Sequence, residues 1–256
     1  MEIVYLCSLF LSGLFIGSFL LVLSDRLPRQ ENVLIGRSYC EACRKPLTWY
    51  ELLPVVSFII QKGRCRKCHI SLTAWYPVAE LATGSLFVLV GVLFPLSSPL
   101  LTVYVLVITC VLVVIFIADW KYGIIPFVMV AIGGVTTLLF TLGTRPELFI
   151  HYLFTAIVSG LFFLAIFFVT RGKGMGFGDV VYAFFMGLFL GFPGIIIGLY
   201  IAFLTGAGVS LILILLKKKK LRGDTIAFGP FLVAGTLIAF LFENYFITLF
   251  NTYFLL

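Results

Sequence analysis

The chain has 256 residues, of which 62% are hydrophobic and 11% are charged, and its mean hydropathy is +1.18. A water-soluble domain contains about 45–50% apolar and about 25% charged residues, so this composition excludes a soluble globular protein. The net charge of +7 does not indicate a nucleic-acid partner, because basic residues also collect in the loops that flank membrane spans.

Long apolar runs predict about eight membrane-spanning helices, since roughly 18 or more apolar residues are enough to cross a bilayer. Prolines such as Pro95, Pro99 and Pro193 mark turns between the runs. The expected fold class is an all-α polytopic membrane protein with a small cytoplasmic zinc-binding loop domain. The spans are expected at residues 3–24, 76–94, 99–118, 124–142, 148–170, 177–192, 194–216 and 226–250.

The basic residues indicate how the chain is oriented. Every lysine and arginine except Arg145 lies in one of four segments, 25–75, 119–123, 171–176 and 217–225. Eight spans place these four segments on one side of the membrane, and an excess of basic residues marks the cytoplasmic side. We therefore expect a multi-pass protein of the bacterial inner membrane, with both termini outside the cytoplasm and the longest loop inside it.

That loop contains two cysteine pairs, Cys40-x2-Cys43 and Cys65-x2-Cys68. Two such pairs at this spacing predict a tetrahedral zinc site, whose metal supplies folding energy to a loop too polar to build its own core. Disulfides are disfavoured in a reducing compartment, and a redox pair needs only one CxxC. The sequence Cys65 to His69 also matches the C-x-x-C-H haem-attachment motif, but haem leaves Cys40 and Cys43 unexplained.

Three acidic residues lie within or at the edge of the spans, and such groups are candidates for function because they are costly in a bilayer. Asp119 ends the third span, Asp179 begins the sixth, and Glu80 lies just inside the second. The span count places Asp119 and Asp179 at the same cytoplasmic edge. Two carboxylates held close together share a proton, which suits hydrolysis by paired general acid and base.

Glycines precede Asp179 in the sequence GKGMGFGDVV. Gly174, Gly176 and Gly178 are expected to allow unusual backbone angles and the close approach of a substrate strand. On the residues alone, Asp119 and Asp179 are also compatible with helix capping or with a proton relay.

Six segments together resemble the bacterial prepilin peptidases, also called type IV leader peptidases, which are membrane aspartic proteases with a GxGD motif. The departures from that family's pattern are Leu21, Val181 and Ala227. The segments that carry the resemblance are GSFLLVLSDRLPR (17–29), WYELLPVVSFIIQKGRCRKC (49–68), SLTAWYPVAE (71–80), ADWKYGIIP (118–126), GMGFGDV (174–180) and AFGPFLVAG (227–235).

The resemblance implies an endopeptidase that removes the basic leader of prepilin or pseudopilin precursors, cutting after a glycine at the cytoplasmic membrane face. It implies Asp119 and Asp179 as catalytic residues, with Gly176 and Gly178 in the active-site loop. Many members also methylate the new N terminus with S-adenosylmethionine. Glu80 is then either a group that positions substrate or cofactor, or a buried acid paired with a neighbouring donor.

The resemblance also implies a division of the chain into three parts. Residues 1–24 form the first membrane helix, 25–75 the four-cysteine zinc domain, and 76–256 a seven-helix membrane peptidase domain. The competing functions are a proton-coupled transporter, which predicts inverted repeats and acids near the middle of the membrane, and a non-catalytic scaffold built around the zinc loop.

Overall fold

The computed structural model describes residues 2–33, 36–94, 98–216, 227–242 and 245. Within these ranges the regular secondary structure is helical, and isolated bridges occur in the cysteine loop. Short 3-10 helices cover Trp49–Leu52 and Pro146–Leu148. The α-helices are α1 (Glu2–Arg26), α2 (Val56–Ile60), α3 (Trp75–Leu93), α4 (Pro99–Tyr122), α5 (Phe127–Thr144), α6 (Phe149–Val169), α7 (Phe177–Leu215) and α8 (Gly229–Leu241).

Six of the described helices are long and apolar enough to cross a membrane: α1, α3, α4, α5, α6 and α7. The first five correspond one by one to the first five predicted spans. The all-α polytopic class is therefore confirmed, and what differs is how the last three predicted spans are divided.

Helix α7 has 39 residues and contains both the sixth and the seventh predicted spans. Its backbone leaves helical geometry at Gly191 (φ 62°, ψ −175°) and Phe192 (φ −93°, ψ 137°), next to Pro193. The Met186 side chain packs against Gly198, whereas a straight helix separates residues twelve apart by about 18 Å. The chain therefore folds back at Gly191, and α7 consists of two helical segments packed side by side.

The predicted eighth span, 226–250, corresponds to α8, of which the structure describes the 13 residues Gly229–Leu241. Most of its remaining length lies outside the described residues. The basic run Lys217–Lys220 lies outside them too.

The chain forms two compact units, Met1–Val114 and Ile115–Leu256. In the first unit α1 packs closely against α3. A β-carbon at Gly13 would lie 2.8 Å from the Gly84 backbone, and one at Gly17 would lie 2.9 Å from Thr83. Gly13 and Gly17 form a GxxxG pattern, which lets two membrane helices approach until their backbones touch. The predicted three-part division at residues 24 and 75 stays a prediction.

In the second unit, α7 packs against α5, α6 and α8. The fully buried Tyr182 hydroxyl and the Thr236 hydroxyl lie 2.9 Å apart and join α7 to α8. The Ser159 hydroxyl of α6 donates to the Ala183 carbonyl of α7 at 2.9 Å. Such hydrogen bonds between helices hold their relative positions where there is no water to compete. Asp179 lies in the first turn of α7, so these contacts also position its carboxylate.

Candidate functional site

Each CxxC pair forms the same tight turn. In the first, the Arg44 amide donates to the Cys40 carbonyl at 2.8 Å, and the Cys40 amide donates to the Lys45 carbonyl at 2.9 Å. Arg44 has a positive φ of 55°, and His69, at the equivalent place in the second pair, has a φ of 56°. In the second turn the same two bonds, at 2.9 and 3.0 Å, involve His69, Cys65 and Ile70. The two turns are structural duplicates.

The two turns bring four sulfur atoms together. The Sγ atoms of Cys40, Cys43, Cys65 and Cys68 all lie within 4.8 Å of one another. Those of Cys40 and Cys68 are 3.9 Å apart. A tetrahedral metal with sulfur ligands at about 2.3 Å holds them about 3.8 Å from each other. The residues therefore fit a four-thiolate metal, as the spacing predicted, and all four predicted ligands are in place.

Hydrogen bonds in this loop lower the pKa of one cysteine and of one buried acid. The backbone amides of Cys68 and Lys67 lower the pKa of Cys65 to about 6, so its thiolate is available to a metal. Glu51 is buried. Burial by itself raises its pKa, but hydrogen bonds from Thr48 and the Lys45 ammonium at 3.2 Å bring the pKa below the ordinary value.

The second candidate site is in the other unit, where the end of α4 meets the start of α8. Asp119 is 4% exposed. Its Oδ2 accepts a hydrogen bond from the Gly229 amide at 2.9 Å. Gly229 is the first residue of α8, and the first amides of a helix have no partner within the helix. Asp119 therefore caps α8 from a position 110 residues away in the chain.

Asp179 has a similar arrangement at the start of α7. It is 7% exposed, and its Oδ2 accepts a hydrogen bond from the Gly176 amide at 3.2 Å. The capping alternative is thus correct for both aspartates as far as Oδ2 is concerned. In each, Oδ1 has no hydrogen bond to any residue that the structure describes, which leaves that oxygen for chemistry.

The two carboxylates lie close enough to interact electrostatically. The ends of neighbouring helices meet at the same level. The rings of Phe127 at the start of α5 and Phe177 at the start of α7 have centroids 6.2 Å apart. Ile125 packs against Gly178, where an added β-carbon would lie 3.1 Å from it. The end of α4 and the start of α7 thus place Asp119 and Asp179 in the same part of the second unit.

The three glycines before Asp179 do not have the unusual backbone angles that the sequence predicted. Gly176 has φ −75° and ψ 153°, an extended conformation open to any residue. Neither Gly174 nor Gly178 has a positive φ; in this loop the left-handed glycine is Gly172, at φ 69°. The expectation of unusual backbone angles at these three positions is therefore wrong. Gly178 is required for packing against Ile125, whereas Gly176 is exposed and leaves space beside Asp179.

Glu80 lies in the first unit, on α3. It is 7% exposed, and its Oε2 accepts a hydrogen bond from the Val55 amide at 2.7 Å. The Ser18 side chain of α1 lies near the same carboxylate. Val55 has a positive φ of 60°, which is strained for a β-branched residue. Glu80 is therefore a buried acid paired with a neighbouring donor, and it ties the segment between the cysteine turns to α3.

Comparison with known proteins gives two family matches that together include the four clustered cysteines and both aspartates. Residues 11–94 match the bacterial peptidase A24 N-terminal domain. Residues 106–211 match the type IV leader peptidase family. A prepilin leader peptidase/N-methyltransferase of Aeromonas salmonicida is 31% identical over 94% of this chain and 91% of its own length. The chain belongs to the type IV leader peptidase family.

Other relatives in this family carry the same name. The Bacillus subtilis protein is 28% identical over 92% of this chain and 94% of its own length. The Klebsiella pneumoniae protein is 43% identical over 36% of this chain and 43% of its own length. No solved structure matches. The family and the apolar helices together make this a multi-pass protein of the inner membrane.

Gly229 is a site residue that the sequence analysis did not single out, although it lies in the 227–235 segment that resembles the family. An added β-carbon there would lie 2.8 Å from Cγ of Asp119, so another residue cannot occupy this position without moving the carboxylate. The signal available in the sequence was a glycine at the predicted start of a span. Only the fold shows which side chain that glycine meets.

We expect a double variant, Cys40→Ser with Cys43→Ser, to lose the bound metal, because two of four thiolates are removed. Wild-type protein purified without chelator should contain one metal ion per chain by elemental analysis. Limited proteolysis should then cut residues 38–70 of the variant faster, while the membrane helices stay protected. Cys7→Ser, at an exposed cysteine of α1, is the matched control and should keep its metal. Wild-type protein without stoichiometric metal would contradict the site.

We expect Gly229→Ala to lower peptide cleavage about 10²-fold, the loss typical of a reacting group moved by about 1 Å. Crowding of Asp119 is the cause, since a Gly→Ala change at a compatible position normally stabilises a protein. The matched control is Gly134→Ala in α5, where an added β-carbon meets nothing within 4 Å. The measurement is the rate at which each variant cleaves a precursor substrate. A wild-type rate in Gly229→Ala would show that Asp119 does not depend on the hydrogen bond from this amide.

Proposed function

We propose that this chain is a membrane aspartic endopeptidase with Asp119 and Asp179 as its catalytic pair. The observation that carries the proposal is the meeting of two buried carboxylates, each with its Oδ2 held by a backbone amide at the start of a helix. The relatives are named prepilin leader peptidase/N-methyltransferases. We extend that activity to this chain, so that it removes the leader of prepilin-like precursors and methylates the new N terminus.

The mechanism follows from the pair of carboxylates. Two carboxylates held together do not both ionise readily, so one proton is shared between them. The ionised member takes a proton from water as the water attacks the scissile carbonyl, and the protonated member gives its proton to the leaving amide nitrogen. The amides of Gly176 and Gly229 keep both carboxylates in position through this exchange of roles.

The substrate fits the surroundings of Asp179. Gly176 is exposed, and an added β-carbon there would meet no atom closer than 3.8 Å. This open space gives an extended substrate strand room to approach the carboxylate. A glycine before the cut bond, as the family resemblance implies, keeps the strand narrow at the same point. A prepilin or pseudopilin whose apolar helix follows the cut can remain in the bilayer during cleavage.

The bound metal is proposed to be zinc, with a structural role. Four cysteine thiolates complete a tetrahedral zinc site and leave no position open for substrate or water. The ion would hold the two duplicated turns together, and no step of the peptidase reaction needs it. The zinc loop and both aspartates are proposed to face the cytoplasm, as the distribution of basic residues predicts.

Single Asp119→Asn and Asp179→Asn variants are expected to lose cleavage by roughly 10³-fold or more, and the double variant should be hardly worse, because groups that act as a unit are not additive. The measurement is leader removal from a precursor, followed by mass spectrometry on purified protein. Each variant should still insert in the membrane and bind metal, which separates lost chemistry from lost folding.

The matched control is Glu147→Gln, at an exposed acid between α5 and α6, and it should cleave at the wild-type rate. If Asp119→Asn cleaves at nearly that rate, the paired mechanism is wrong and the proton-relay or scaffold function takes its place.

For the second activity, incubation with a prepilin and S-adenosylmethionine should give a mature product heavier by one methyl group. The methyl should be absent from the uncleaved precursor, because the acceptor amine exists only after cleavage. The Asp179→Asn variant should therefore block methylation of the precursor but not of a synthetic mature N-terminal peptide. A wild-type product without the added methyl would refute the methyltransferase activity.

A further inference from the structure

The short helix α2, between the two cysteine turns, has an inner and an outer side. On the inner side, Phe58 lines a cavity of about 390 Å³ whose other walls are the end of α1, the cysteine turns and the start of α3, with acidic side chains from all three. On the outer side, Val56, Ile59 and Ile60 are 50%, 67% and 63% exposed. Positions i, i+3 and i+4 share one face of a helix, so these three side chains form one exposed apolar face.

An aromatic cluster precedes α2, in the 3-10 helix Trp49–Leu52. Trp49 is 75% exposed, and its ring meets the Tyr50 ring edge-on, with the two centroids 5.7 Å apart. The Arg66 guanidinium lies over the same Tyr50 ring, 4.9 Å from its centroid. Tryptophan, tyrosine and arginine each combine an apolar body with a polar tip, and they are common where a protein meets the headgroup level of a bilayer.

The exposed charges beside this apolar surface have one sign. The acid between positions 49 and 70 is Glu51, which is buried and lies 3.2 Å from the Lys45 ammonium. The amide of Lys62 donates to the Ile59 carbonyl at 3.0 Å, so the basic residues begin where α2 ends. The exposed lysines and arginines of this stretch are Lys62, Arg64, Arg66 and Lys67.

A hydrogen bond to α3 sets the level of α2 relative to the membrane. Val55, the residue before α2, donates its amide to Oε2 of Glu80 at 2.7 Å. Glu80 lies in the second turn of α3, whose 19 residues extend about 28 Å at 1.5 Å per residue. The hydrocarbon core is about 30 Å thick, so α3 needs its whole length to cross it. The start of α2 therefore lies where α3 enters the hydrocarbon, level with the lipid headgroups.

We propose that the cysteine loop docks through this outer side onto anionic phospholipid headgroups of the bilayer that α1 and α3 cross. The inference goes beyond the proposed peptidase and methyltransferase activities and uses no step of either. The apolar side chains enter the boundary between headgroups and acyl chains, and the basic side chains meet lipid phosphates. The docking surface consists of Trp49, Val56, Ile59 and Ile60 with the basic residues Lys62, Arg64 and Arg66.

The charge of the docking surface disfavours two other partners. A basic leader peptide is repelled by its lysines and arginines. A second copy of this chain, joined by a twofold axis, brings the same basic residues against one another, and such like-charge contacts are costly. Anionic phospholipid supplies the opposite charge next to an apolar phase, which is the combination that the docking surface requires.

Trp49 reports docking when it is the sole tryptophan. The two others, Trp75 and Trp120, are replaced by phenylalanine in the full-length, metal-bound protein. In nanodiscs of phosphatidylcholine mixed with phosphatidylglycerol, the emission of Trp49 should shift to shorter wavelength and be quenched by lipids brominated near the headgroup. Both effects should be weaker in discs of phosphatidylcholine alone. Salt at 1 M should weaken them as well, because the Debye length then falls to about 3 Å.

Charge variants measure the basic contribution. A lysine or arginine near an anionic surface favours the docked loop about fivefold. Lys62→Gln with Arg64→Gln should therefore lower the ratio of docked to undocked loop roughly 25-fold in the mixed discs. The matched control is Arg145→Gln, at an exposed arginine between α5 and α6, which should leave the quenching unchanged. Retention of the metal by the double variant shows that its cysteine loop is still folded.

Three results would overturn the proposal. If Trp49 emits as it does in water and brominated lipid does not quench it, the docking surface stays in solvent. If acrylamide fails to reach Trp49 and brominated lipid does not quench it either, protein covers the surface and the bilayer does not. Equal quenching in both kinds of disc, unchanged in the double variant, would refute recognition of anionic headgroups.

Hydrogen exchange on the unmodified protein covers the case in which the phenylalanine replacements disturb folding. The backbone amides of residues 56–62 should exchange more slowly in the mixed discs than in phosphatidylcholine discs. Those of α5, Phe127–Thr144, serve as the internal control and should exchange equally in both. Equal exchange of residues 56–62 in the two kinds of disc would overturn the docking.

Discussion

The hydrogen bond from the Gly229 amide to Asp119 is the contact on which the aspartate site depends. It holds the end of α4 against the start of α8, and it forms only because residue 229 has no side chain. Asp179 is held by an amide of its own at the start of α7. Each aspartate thus accepts a hydrogen bond from an otherwise unpaired helix amide with one oxygen, and its other oxygen has no hydrogen bond to a described residue.

In the first unit, too, the structure depends on a few polar contacts. They organise the cysteine loop, which has little hydrophobic core of its own. Two duplicated turns bring the four thiols together, and Glu80 of α3 holds the segment between them through the Val55 amide. The acids that line the cavity are gathered from three separate parts of the chain. A metal that closes the turns would therefore also shape the cavity beside them, since Cys40 and Cys65 belong to both.

Much of the fold and of the two candidate sites could be predicted from the sequence, because membrane insertion and metal binding each require a local pattern of residue types. Apolar runs gave the spans, and even the fold-back in α7 was marked by Pro193. The cysteine spacing gave the four ligands, and the position of Asp119 and Asp179 at span edges gave the pair. The glycines before Asp179 were misjudged, because their identity alone does not distinguish a left-handed turn from the close packing seen at Gly178.

The sequence by itself determined the membrane class and singled out the four cysteines and the two aspartates, since each depends on residue type and on spacing along the chain. Only the tertiary structure decided what those groups meet. The partnership of Asp119 with Gly229 spans 110 residues, and the cavity collects acids from segments that share no periodicity. Such contacts depend on how helices pack in three dimensions, and no local pattern of residues records that packing.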